Sequence, residues 1–133
     1  MSLSNYKYAP AVAVSDMGKA KEFYEGKLGL SNGMEQPDGG TTYHCDEGTS
    51  IHVYPSPDNA GRSGATLGAW ETDDVENLVD ELTSNGVTFE KYDTDRLKTN
   101  EKGIATFGDV EAGYVKHASF KDPDGNILGV YGA

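Results

Sequence analysis

Cysteine is nearly missing. Cys45 stands alone in 133 residues, so no intramolecular disulfide can form and the fold must rest on buried apolar surface. Long apolar runs are missing as well: nothing near the N-terminus has the length of a signal-peptide core, and no stretch is long enough to cross a bilayer. The chain therefore reads as a soluble, cytoplasmic protein. Basic residues are scarce, 11 Lys and Arg against 22 Asp and Glu, for a formal charge of -11. That sign repels phosphate backbones and anionic lipid heads, which removes nucleic acid and membrane from the expected partners.

What the chain does contain is turn chemistry separating short periodic stretches. Near the C-terminus, Asp122-Pro123-Asp124-Gly125-Asn126 sets one corner with proline and completes it with residues that tolerate positive φ, which predicts a hairpin. Its second strand alternates Ile127, Gly129 and Tyr131 with Leu128 and Val130, so one face can pack a core while the other is free to line a site. At the other end, Tyr8 to Val14 alternates Pro10, Val12 and Val14 with Ala9, Ala11 and Ala13. Proline cannot donate to a ladder, so this strand belongs at a sheet edge. Asp16 caps a helix with Met17, Ala20, Phe23, Tyr24 and Leu28 on its apolar side, and Gly29 suits its left-handed end. Turn signals from Leu30 to Pro57 then frame three successive antiparallel strands.

The same order recurs in the second half. Ala65 to Glu71 reads as a strand, Asp73 with Glu76 as a capping box, Val75, Leu78, Val79 and Leu82 as a helical stripe, and Asn85-Gly86 as its stop. Val87 to Tyr92, Ile104 to Phe107 and Tyr114 to Ser119 follow as extended pieces before the closing hairpin. Asp16 and Asp74 stand 58 residues apart, and the chain reads as a duplicated βαβββ unit. The expected class is α+β, a single domain over residues 6–133 with module one at about 6–57 and module two at about 64–133. Two half-filled sheets are expected to leave a cleft.

Val12 to Leu30, with Asp16, Phe23-Tyr24 and Leu28-Gly29-Leu30, together with Phe120-Lys121-Asp122-Pro123-Asp124-Gly125-Asn126, resembles the glyoxalase / bleomycin-resistance / extradiol dioxygenase group, the vicinal oxygen chelate superfamily. The resemblance covers nearly the whole chain. It implies paired βαβββ modules with cup-shaped sheets, and usually a homodimer. It does not imply one activity, because the group holds isomerases, dioxygenases and plain drug-binding proteins. Its metalloenzymes place His or carboxylate ligands on the first and last strands of each module. In this chain those positions fall on Ala9, Leu67 and Gly129, with His52 alone able to bind metal. No cofactor is expected, and a divalent metal is the less favoured alternative.

Chemistry is then left to the histidines. His52 and His117 are the candidate acid/base residues, both expected to face the cup. Tyr54, Tyr131, Ala11, Leu67, Ala69, Ser119 and Gly129 are expected to line it, with Ala9 and Ala13 beside them. Trp70 is assigned to the core. Cys45 reads as an inert small core residue, since Asp46 and Glu47 would raise its pKa. The faces taken by Tyr43, His44 and Cys45 depend on a turn whose length the sequence leaves open. The functional expectation is a protein that binds a small organic molecule, a drug or metabolite. The alternative is an enzyme of lyase, isomerase or dioxygenase type, lactoylglutathione-lyase-like or dioxygenase-like, using these histidines or an atypical divalent-metal site.

Overall fold

The computed structural model describes residues 2–109 and 113–133. The chain divides into two compact units, Met1–Arg62 with Pro123–Gly125, and Ser63–Asp122 with Asn126–Ala133. Each repeats the order strand, helix, three strands, as the duplication predicts.

In the first unit β1 (Ala11–Val14), β2 (Met34–Glu35), β3 (Thr41–His44) and β4 (Ser50–Pro55) form a sheet of order β1-β4-β3-β2. β1 lies at the edge, parallel to β4, where the missing N–H of Pro10 costs no ladder bond. The strand is shorter than expected. Pairing begins at Ala11 opposite His52, so Ala9 is exposed and lies outside β1. Asp16 caps α1 (Met17–Lys21) by accepting from the N–H groups of Gly18 and Lys19. The helix then widens into a π turn, Glu22–Lys27, in which Leu28 N–H donates to Phe23 O at 3.0 Å. Phe23 and Tyr24 are both buried there, edge to face at 5.4 Å. They cover Val12, Val14, Ile51, Val53 and Tyr43 on the inner face of the sheet. Each such side chain contributes about 1.5–3 kcal/mol on burial. Tyr43 donates its hydroxyl to Glu25 Oε2 at 2.6 Å, and burial, then that carboxylate, push its pKa up. Cys45 is only half-buried and follows β3, so it is not the core residue expected. A tight 3-10 turn over Asp46–Gly48, with Glu47 and Gly48 both at positive φ, carries the chain away from the core at that point.

In the second unit β5 (Thr66–Thr72), β6 (Ile104–Asp109), β7 (Gly113–Lys121) and β8 (Ile127–Gly132) take the order β5-β8-β7-β6, with β5 and β8 parallel. α2 (Val75–Ser84) buries Val75, Val79 and Leu82. Its cap is Asp74, accepting from Asn77 N–H at 3.1 Å, and not Asp73. The shift by one residue follows from Thr72 Oγ1, which takes the N–H of Asp74 and turns the chain there. Trp70, expected in the core, is only half-buried, with its ring stacked 6.4 Å from that of the buried Phe120, which meets Phe89 edge to face. The strand expected over Val87 to Tyr92 reduces to one bridge, Phe89 with Phe120. β6 starts at Ile104 opposite Ala118, so only the end of β7 has a free edge. In exchange, β6 runs beyond Phe107 to Asp109. Asp122 and Asn126, both buried, close the hairpin: Asp122 Oδ1 and Oδ2 each accept from Asn126 at 2.9 Å.

Candidate functional site

Strand parity sends Val12, Val14, Ile51 and Val53 inward and leaves Ala11, Ala13, His52 and Tyr54 on the open face of the first sheet. The ladders align Ala11, His52, Thr42 and Met34 in one row across it. Tyr54 lies over His52 with ring planes 3° apart and centroids at 5.7 Å. His44 is on the same face, exposed and opposite Ser50, while Tyr43 points inward.

His52 is the hub of this face. Its Nδ1 stands 3.1 Å from Thr42 Oγ1 and its Nε2 2.7 Å from Asp38 Oδ2. The Nε2–H tautomer satisfies both contacts, donating to Asp38 and accepting from the Thr42 hydroxyl. Asp38 is brought back by the turn Pro37-Asp38-Gly39-Gly40, where its Oδ1 accepts from Gly40 N–H at 2.8 Å. Glycine is needed at 40, because a Cβ would fall 2.5 Å from Val53 O. The hydrogen bond from His52, then the Gly40 N–H, hold the Asp38 carboxyl below its usual range. Gln36, Pro37, Asp38, Thr42 and His52 line a shallow depression, about 450 Å³, that is largely open to solvent. Sequence reasoning found His52 but missed Asp38 and Thr42. The signal for Thr42 was the register across the Asp46–Gly48 turn, which places it directly opposite His52.

The second sheet presents a different open face. The ladders carry Ala69, Gly129 and Ser119 in one row, Glu71, Tyr131, His117 and Ala105 in the next, and Val115 with Phe107 beyond. Phe107, Val115 and Tyr131 are 45%, 48% and 37% exposed, large apolar side chains left partly open to solvent. Leu67, exposed by 36%, falls where the ladder shifts between Thr66 and Gly68. Tyr131 hydroxyl reaches Glu71 Oε1 at 3.4 Å. His117 lies across Gly129: a Cβ at 129 would stand 3.0 Å from its Nε2 and 2.8 Å from Ala118 O. Loss of solvent around the ring pushes the His117 pKa down, toward the neutral form. The expected lining residues thus fall on two sheets, Ala11, His52 and Tyr54 on one and Ala69, His117, Ser119, Gly129 and Tyr131 on the other, but Ser119 and Gly129 are buried there and open to no ligand.

Leu67 and Gly129 offer no donor, the imidazole of His117 fills the space that a side chain at 129 would need, and among the described residues no three His, Cys, Asp or Glu side chains come together to hold an ion.

A family model described as Glyoxalase/Bleomycin resistance protein/Dioxygenase superfamily matches residues 9–130. Among solved structures, a glyoxalase/bleomycin resistance protein/dioxygenase from Alicyclobacillus acidocaldarius aligns over 98% of this chain and 93% of its own, at 19% identity and a TM-score of 0.70. A glyoxalase/bleomycin resistance protein from Streptomyces sp. CB03234 is 25% identical over 94% of this chain and 98% of its own, with a TM-score of 0.63. TnmS3, an antibiotic binding protein from the same Streptomyces strain, is 24% identical over 94% and 93%, with a TM-score of 0.61. No curated protein matches the chain.

Proposed function

The chain belongs to the Glyoxalase/Bleomycin resistance protein/Dioxygenase superfamily, and on that premise we propose that it binds a small organic molecule, a drug or metabolite, on the face of its second sheet. The observation that carries this is the face of the second sheet. Phe107, Val115 and Tyr131 are exposed together there, beside His117, whose ring lies on the bare backbone of Gly129. Apolar surface with a few convergent polar groups is what a small-molecule site offers. The donor set for a metal-assisted reaction is missing at Leu67 and Gly129, and the fold serves antibiotic binding in TnmS3. We read the working protein as a homodimer, as the resemblance implies, for which sedimentation of the purified chain is the check, and as cytoplasmic, as its lack of long apolar runs suggests.

The binding test uses phenylnaphthylamine, a neutral aromatic probe that brightens in apolar sites, followed by displacement with a panel of aromatic drugs and metabolites. Saturable binding should weaken about tenfold or more in Phe107→Glu and Val115→Glu. Both residues are exposed, so the fold tolerates the change. Binding that is absent, or indifferent to both substitutions, would remove the second sheet as the site.

A further inference from the structure

The bonded chain Asp38, His52, Thr42 is left unused by a binding role. Both nitrogens of the His52 ring are engaged, so the imidazole cannot take a proton from a ligand directly. The group at the free end is the Thr42 hydroxyl, and it lines the depression with Gln36, Pro37, Asp38 and His52. A carboxylate that orients an imidazole, which in turn accepts from a hydroxyl, is the arrangement that makes a hydroxyl nucleophilic. The parts are also held in place. Thr42 and His52 are directly opposed in the β3–β4 ladder, Tyr54 stacks on the ring, and Gly40 N–H anchors the second oxygen of Asp38.

We propose that Thr42 is the nucleophile of an acyl-transfer site in the first unit, acting on esters of small carboxylic acids. Thr42 Oγ1 bonds to the acyl carbon as its proton passes to His52 Nδ1, and the imidazolium is held against Asp38. Collapse of the tetrahedral adduct breaks the bond to the alcohol oxygen, which takes the proton from Nδ1 and leaves. Water then attacks the acyl-threonine, losing one proton to Nδ1, which returns it to Thr42 Oγ1 as the acid departs. Gln36 lines the same depression, and its Nε2 spends only a long 3.4 Å contact on Met34 O, so its amide is the donor available to the oxyanion.

The test incubates the full chain with p-nitrophenyl acetate, following nitrophenolate release and mapping acetylated peptides by mass spectrometry. An acetyl group on Thr42 is expected. Turnover should fall by about 10²-fold or more in Thr42→Ala and in His52→Gln, persist in Thr42→Ser, and stay unchanged in His44→Gln, which alters an exposed histidine outside the bonded chain. Turnover undiminished in Thr42→Ala would mean simple imidazole hydrolysis and would overturn the proposal. So would an adduct confined to other residues, or no release above buffer. Thr42→Ser guards against a folding defect in the alanine variant, since a folded serine protein without adduct or turnover refutes the site by itself. Phenylnaphthylamine binding reports on the second sheet, so either idea can fail without the other.

Discussion

His117 shows what a single residue does to this protein. Its ring lies on Gly129 in a partly desolvated setting that lowers its pKa from the ordinary 6.5. The folded chain therefore disfavours the charged imidazole, and the unfolded chain binds more protons on acidification. The stability contributed by the neutral ring is complete above about pH 6.5 and is lost as pH falls below it toward the folded value. Urea midpoints measured from about pH 7 to about pH 5 should fall more steeply for the natural protein than for His117→Gln. Parallel slopes would show that the ring is not shielded. The side chosen by His117 was legible in the sequence, because alternation with the buried Ala118 and Phe120 leaves it no other face. The partners of His52 were not, since Asp38 reaches it from a turn 14 residues away, and alternation along a strand says nothing about where a loop side chain lands.

Elements were read well where a period ran long enough and poorly where a neighbour decided the matter. The stripe Val75, Leu78, Val79 and Leu82 predicted α2, and three of the four are buried, with Leu78 half-buried. Its first residue was misplaced, because Asp73 and Asp74 both satisfy a capping pattern and only the bond from Asp74 N–H to Thr72 Oγ1 separates them. Asp74→Ala should accordingly cost about 0.5–2 kcal/mol in chemical denaturation, and Asp73→Ala should stay within about 0.5 kcal/mol of the natural chain. The reverse ranking would move the cap. The segment at Val87 to Tyr92 failed as a strand for a reason outside itself: β6 already occupies β7 up to Ala118. The widened turn at Glu22–Lys27 was also invisible, because a helical apolar pattern is satisfied whether Leu28 bonds back four residues or, as here, five to Phe23.

At the scale of the whole molecule the duplication was the strongest signal, and both units keep the order strand, helix, three strands with the outer pair parallel. The charge of -11 is distributed over this scaffold with few opposing pairs among the described residues. Lys21 with Glu35, Lys102 with Asp80 and Lys121 with Glu90 lie at 3.2–3.7 Å on largely exposed side chains, where such pairs contribute little. Self-repulsion should dominate. Raising sodium chloride from about 10 mM to about 150 mM, which shortens the screening length from about 30 Å to about 8 Å, is expected to raise the melting temperature. A fall would mean that the ion pairs outweigh the repulsion.

One clasp in the first unit bears on how the chain is made. Ser15 donates its N–H to Asp124 Oδ2 at 3.0 Å and its hydroxyl to Asp124 Oδ1 at 2.5 Å, across 109 residues of sequence. A ribosome delivers Asp124 109 residues after Ser15. The nascent first unit can assemble its sheet and helix, but Ser15 receives its carboxylate only after β5, α2, β6 and β7 of the second unit have been made, so the first unit is closed when, of the second unit's strands, β8 alone is still to come.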